Sequence, residues 1–132
     1  MSAEIRIEGM ETVIRNLQAY VPRTHAKARQ ALTKSGEAMK DGIKPETPIQ
    51  SPSESGGHPP GTLQDSITKS PVTGGGDELK IEVGPSNKGF FGYFLEFGTS
   101  HQNAQPWLGP AYELNKGNAQ RMAIDVLKEL FR

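Results

Sequence analysis

The aromatic stretch from Tyr93 to Ala111, YFLEFGTSHQNAQPWLGPA, constrains the fold more than any other part of the chain. It contains the only tryptophan, Trp107, and a single acid, Glu96, set among large apolar residues. Each buried aromatic side chain removes roughly 150–250 Å² from water, so a small core depends on a few such anchors. We therefore predict a core corner here, between a strand or short helix and a final helix.

Glu96 needs hydrogen-bond partners if it lies inside that apolar cluster, because burying an unpaired carboxylate is costly. The residues that follow, Gly98, Thr99 and Ser100, are typical of a turn. We expect Glu96 to hold this turn by accepting hydrogen bonds from the backbone amides around Thr99 and Ser100. The alternative is a contact across a subunit boundary, with an arginine of a neighbouring copy.

Hydrophobic periodicity predicts the other elements. Alternating residues predict strands at 3–7, 67–72 and 79–84, and helical spacing predicts helices at 10–21, 23–44 and from 111 to the end. This order favours an α+β domain, residues 1–132, with a small antiparallel sheet covered on one face by the long helix and the C-terminal helix. The predicted core comprises Ile5, Ile7, Leu79, Ile81, Val83, Phe97, Trp107, Leu114, Met122 and Val126.

Two glycines interrupt the long predicted helix, Gly36 and Gly42. Each weakens a helix by about 1 kcal/mol relative to alanine, so close approach of another backbone is the expected compensation. The sequence leaves two explanations for these glycines open: packing across the sheet within one subunit, and a contact between subunits.

The segment from Pro45 to Gly61 is dominated by proline, serine and glycine, and Ile49 is its only large apolar residue. Such a composition cannot bury enough surface to offset the entropy of ordering. We predict a long loop that is mobile in the free subunit. Either it orders against a neighbouring subunit or partner, or it is a tolerated insertion. The residues expected to make the assembly contacts are Ile49, Ser53, His58 and Pro60.

Composition excludes several kinds of function. The chain has no cysteine, which rules out disulfides and thiolate metal sites. Its formal net charge is zero, which argues against nonspecific nucleic-acid binding. No apolar run approaches the ~20 residues that cross a bilayer, so we expect no membrane partner.

No motif in the chain points to catalysis. The three histidines, His25, His58 and His101, lack the spacing of zinc ligands. A set of Ser66, His101 and Asp65 can be written down, but Ser66 lacks the glycine pattern of a nucleophile elbow. We therefore predict no cofactor, no metal and no catalytic residue.

The aromatic stretch resembles the signature of a family of tailed-bacteriophage proteins, the small tail-completion or head–tail joining proteins. Trp107 stands where that family more often has phenylalanine, and Gly109 stands where it has a basic residue. The residues that carry the resemblance are Tyr93, Glu96, Phe97, Gly98, Thr99, Pro106, Trp107, Leu108, Pro110 and Ala111.

The resemblance implies the same α+β architecture and a structural role in the virion, at the interface between the phage head connector and the tail. It implies partners of three kinds: copies of the chain in a homo-oligomeric ring, with a hexamer as one form; the head connector; and tail-tube or tail terminator proteins. The location implied is the neck or tail of the virion, after synthesis in the bacterial cytoplasm. The alternative is a small stand-alone ligand-binding or hydrolytic domain, which should show a convergent polar pocket.

Overall fold

The computed structural model describes residues 3–5, 12, 24–49, 57–74, 78–101 and 103–131. The predicted helix at 10–21 lies outside these residues, apart from the helical Thr12. Three short 3-10 turns follow the main elements, at Lys44–Glu46, Asn87–Gly89 and Glu129–Phe131. The strands and helices are β1 (Ala3–Ile5), α1 (Thr24–Ile43), α2 (Thr62–Ser66), β2 (Ile67–Lys69), β3 (Ile81–Pro85), α3 (Gly92–Phe97) and α4 (Leu108–Lys128).

The strands form a three-stranded antiparallel sheet in the order β1-β3-β2, which confirms the predicted α+β class. In register, Ile81 lies opposite Ile5, and Gly84 lies opposite Thr68. Ile81 and Val83 of the central strand are buried and flank the half-buried Glu82, the alternation expected when one sheet face is covered.

Strand β2 is shorter than predicted and ends at Lys69. The amide of Ser70 still donates to the Glu82 carbonyl at 2.8 Å, but Pro71 has no N–H and cannot continue the ladder. Pairing resumes at one isolated bridge between Thr73 and Lys80.

Helix α1 packs against the sheet on one side and against α4 on the other. A Cβ built on Gly36 would lie 2.5 Å from Cδ1 of Ile81, and one built on Gly42 would lie 2.0 Å from Oδ1 of Asn115. Both glycines are therefore explained by close packing within the subunit, Gly36 against the sheet and Gly42 against α4. The two long helices run antiparallel, because the Lys27–Glu129 ion pair joins the start of α1 to the end of α4.

The core contains five of the predicted residues, Leu79, Ile81, Val83, Trp107 and Val126. The prediction was wrong for three others: Phe97 is 68% exposed, Leu114 is 69% exposed and Met122 is 38% exposed. The side chains of Ile5 and Ile7 lie outside the described residues. Helix α4 instead buries Leu108, Ala111, Ala119, Ala123, Val126 and Leu127.

The error on α4 has a simple physical cause. The predicted core took only large apolar residues from α4, whereas the buried stripe also contains three alanines. Small side chains let two helices approach closely, and the face they form is turned away from Leu114.

The described part of the segment from Pro45 to Gly61 is compact at its start. Thr47 is buried, and its hydroxyl donates to the Ile43 carbonyl at 2.8 Å, which closes the end of α1. Gly61 has a φ of 87° and leads into α2. Residues 50–56 lie outside the described part, so the predicted mobility of the loop stays a prediction. None of the helices described is long and apolar enough to cross a membrane.

Ser35 provides a test of the helix packing. Its hydroxyl is fully buried on α1 and has no hydrogen-bond partner. We expect Ser35→Ala to raise the free energy of unfolding by about 1 kcal/mol, because it removes an unpaired polar group and improves helix propensity. Urea denaturation measures this change. The exposed Lys34→Ala is the control, and a loss of stability in Ser35→Ala would contradict the packing described.

Candidate functional site

The carboxylate of Glu96 binds the N-terminus of α4. Its Oε2 accepts hydrogen bonds from the amides of Trp107 at 2.6 Å and Leu108 at 2.8 Å, and its Oε1 accepts one from the amide of Gly109 at 3.0 Å. The first amides of a helix have no partner inside the helix, and negative charge is stabilised there. Glu96 therefore acts as an N-terminal cap supplied by another helix, and it fixes α3 against α4.

The predicted hydrogen bonds to Glu96 from the amides around Thr99 and Ser100 are not the ones formed. The acid does hold the backbone, but its partners lie eleven to thirteen residues further along the chain. The start of a helix presents several aligned amides at once, which a turn does not. The Thr99 hydroxyl oxygen instead accepts a local hydrogen bond from the amide of His101 at 3.2 Å.

Gly98 ends α3 in a conformation that favours glycine. Its φ is 77°, in the region that side chains with a Cβ rarely adopt, and its amide donates to the Phe94 carbonyl at 2.8 Å. The loop that follows returns to α3, where the amide of Gln105 donates to the Leu95 carbonyl at 2.7 Å. In the order Glu96, Phe97, Gly98, the first residue caps α4, the second points outward and the third reverses the chain.

Trp107 lies beneath α3 and is 5% exposed. Its indole Nε1 donates to the Gly92 carbonyl at 2.9 Å. Gly92 has no room for a side chain, since an added Cβ would lie 2.6 Å from Cδ1 of Leu63 and 2.9 Å from Cζ2 of Trp107. Leu108 and Ala111 are also buried, while Pro106 and Pro110 are exposed. Pro110 lies in the first turn of α4, where a missing amide costs little.

Tyr93 is half-buried beside this corner, and its hydroxyl has no hydrogen-bond partner. Burial raises the pKa of Tyr93, and the negative charge of Glu82 raises it further. Both effects raise the pKa by disfavouring the phenolate, so Tyr93 is protonated near neutral pH.

Three phenylalanines, Phe90, Phe94 and Phe97, point outward along α3 and the turn before it. They are 52%, 49% and 68% exposed. The rings of Phe90 and Phe94 meet edge to face, with centroids 5.8 Å apart. Spacings of four and three residues place all three on one side of a helix. We call these three residues the aromatic face.

The density of aromatic residues in the sequence is a signal for this face. Five aromatic residues occur within eight positions, from Phe90 to Phe97. Helix α3 is six residues long and buries only Gly92 and Leu95. A helix this short has one inner side, so some of those aromatics must point outward.

Of the predicted loop contacts, the structure brings His58 to the corner. Its ring stacks on Phe91, with centroids 5.0 Å apart and an interplanar angle of 18°. Ile49 is 65% exposed and Pro60 is exposed. Ser53 lies outside the described residues.

Ser66, weighed above as a nucleophile, has a structural role. It is 1% exposed, and its hydroxyl donates to the Leu63 carbonyl at 2.6 Å. A Cβ built on Gly89 would lie 1.9 Å from that hydroxyl, so the two segments pack closely. Within the residues described, no three acids or histidines converge as a metal site would require.

The described corner is held by these hydrogen bonds and displays apolar side chains to solvent. Residues 11–98 match the model of the family described as "Bacteriophage HK97-gp10, putative tail-component". The match covers about two thirds of the chain, and the chain belongs to this family of bacteriophage tail components. No curated protein and no solved structure matches the chain significantly.

The family match confirms the resemblance drawn from the sequence. It spans α1, α2, β2, β3 and α3, including Glu96, Phe97 and Gly98, and it ends before Pro106. The capping acid therefore lies inside the matched region, and the amides that it caps lie beyond it.

Replacing Glu96 tests the cap. In Glu96→Gln one oxygen becomes an amide nitrogen, which cannot accept from the backbone, and the negative charge at the helix N-terminus is lost. We expect a loss of about 1–2 kcal/mol in the free energy of unfolding. Chemical denaturation measures this free energy. Glu113→Gln, at an exposed position on α4, is the control. Equal stabilities for the two variants would contradict the capping role.

The burial of Trp107 predicts a spectroscopic result. As the only tryptophan, it reports on this corner alone. We expect native emission at shorter wavelength than that of a hydrated indole, moving to longer wavelength on unfolding. Trp107→Ala should destabilise the fold by about 3–5 kcal/mol, as for other large aromatic truncations. A native spectrum typical of free tryptophan in water would show the placement to be wrong.

Proposed function

We propose that the chain joins or completes the interface between the phage head connector and the tail, as one subunit of a ring. The family supports the coarser statement, a structural component of a bacteriophage tail. The aromatic face supports the finer statement, that the chain acts at the interface between head and tail. Phe90, Phe94 and Phe97 together expose on the order of 300 Å² of apolar surface. A patch of that size matches the largest apolar patch on a typical monomeric protein, which often has a function.

The aromatic face is presented on a rigid support. Helix α3 is held by the Glu96 carboxylate on α4, by the Trp107 indole bond to the Gly92 carbonyl and by the Gln105 bond to the Leu95 carbonyl. A surface fixed in this way loses little conformational entropy when it binds. This supports a contact that must position large bodies, such as a head and a tail.

The partners we propose are other copies of the chain, the head connector, and a tail-tube or tail terminator protein. The place of action is the neck or tail of the virion. The exposed Ile49 and Pro60 of the 45–61 segment are proposed as further assembly contacts. The polar groups of the corner favour no enzymatic role, because the Glu96 carboxylate and the Ser66 hydroxyl are both engaged by backbone groups.

Particle assembly tests the proposal. A phage or prophage that lacks this gene is complemented with Phe94→Ser, and the lysate is examined by electron microscopy. We expect complete heads and complete tails that are not joined, because a hydroxymethyl group cannot replace the ring in an apolar contact. Met122→Ser is the matched control, since Met122 is also an exposed apolar residue but lies away from the aromatic face.

Thermal unfolding of both variants separates assembly from folding. A normal yield of joined particles with Phe94→Ser would count against the aromatic face. A deletion that left heads and tails joined would count against the function itself.

A further inference from the structure

We propose that the aromatic face docks on the outer side of α4 in a second copy of the chain, so that subunits contact one another head to tail. The inference rests on the proposed function and names the partner of the same face. The receiving surface, which we call the outer α4 patch, comprises Leu114, Gly117, Arg121 and Ile124.

The outer α4 patch lies on one side of the helix. Its residues are spaced by three, four and three positions, the spacing of neighbours on a helix surface. Leu114 is 69% exposed and Ile124 is 49% exposed, while the buried stripe through Ala119 and Ala123 faces the other way. Large apolar residues at both ends of this side have no role in the core.

Gly117 distinguishes this surface from the rest of the molecule. It lies in the middle of α4, where glycine costs about 1 kcal/mol relative to alanine. A Cβ built there would meet no atom within 4 Å, and its φ is not positive. Gly36, Gly42 and Gly92 are each explained by a close neighbour in the same subunit, and Gly117 is not. Its missing side chain leaves a shallow gap between Leu114 and Arg121.

The chemistry of the two surfaces is complementary. A phenylalanine ring can lie over the gap at Gly117, with Leu114 and Ile124 as apolar neighbours. Arg121 is exposed, and Asn118 holds its guanidinium through a hydrogen bond of 2.7 Å. A guanidinium held in place beside an aromatic face provides a cation–π contact.

The balanced charge of the chain favours a second copy as the occupant. The formal net charge of zero means that copies do not repel one another. The aromatic face exposes about 300 Å² and the outer α4 patch about 200 Å², against about 800 Å² per partner in a standard stable interface. A single contact is therefore weak. Head-to-tail contacts use both surfaces on every subunit and can close into a ring, where many weak contacts act together.

The absence of native cysteine allows a direct test. Phe97→Cys and Leu114→Cys are prepared with tags of different mass, mixed in equal amounts at high concentration and oxidised mildly. We expect the mixed disulfide dimer to exceed both self-linked dimers several-fold. Phe97→Cys mixed with Glu46→Cys, an exposed position at the end of α1, gives the level for random collision. A random mixture, or a preference for self-linked Phe97→Cys, would overturn the inference.

A second variant separates this contact from folding. Gly117→Leu fills the gap without meeting any atom of its own subunit, so we expect it to stabilise the monomer while it reduces the mixed disulfide several-fold. Lys34→Leu, at an exposed position on α1, should leave the disulfide yield unchanged. An unchanged yield in Gly117→Leu would contradict the docking.

Repeating the oxidation on purified particles distinguishes the two proposals. The two variants are then co-expressed to complement the deletion. If the protein is present at the head–tail joint but the mixed disulfide does not form, the docking is wrong and the proposed function stands. If the protein is absent from the joint, the proposed function fails, whatever the disulfide pattern in solution.

Discussion

The three hydrogen bonds that Glu96 accepts connect the helix that displays the aromatic face to the helices that form the core. They are short, charge-assisted bonds to amides that have no other partner in their helix. Through them α3, which displays the aromatic face, is tied to α4. Helix α4 packs along α1, and α1 covers the sheet. A substitution of Glu96 therefore affects the sheet only through α4 and α1.

Small residues determine how closely those helices approach. Gly36 admits Ile81 of the sheet, and Gly42 admits Asn115 of α4. Alanines supply half of the buried positions on α4. An interface built in this way gains stability from dense packing over a long contact more than from a few large side chains, and it tolerates enlargement poorly because close-packed helices have no space to yield.

Hydrophobic periodicity predicted the strands and helices whose apolar pattern lies within the element itself. The alternation of Ile81 and Val83 identified the central strand, and helical spacing identified α1 to within a residue at each end. On α4 the prediction was right for Val126 and wrong for Leu114 and Met122, because a scale of hydrophobicity ranks both above alanine although alanine makes the closer contact. The partners of Glu96 could not be predicted, since the angle between α3 and α4 depends on the loop that joins them. The burial of Trp107 was predicted correctly, because the core of a small chain depends on its few large aromatic side chains.

Most of the groups on α3 that hold it in position belong to the main chain. The carbonyls of Gly92 and Leu95 accept such bonds from the segment that follows α3, and Glu96 is the one α3 side chain that does so among the hydrogen bonds of the described residues. The outward phenylalanines take no part in these hydrogen bonds. Substitutions at those outer positions therefore leave these hydrogen bonds in place. A phage lineage whose neighbouring proteins diverge could follow them by exchanging these side chains alone, and the same scaffold would serve virions with different interfaces.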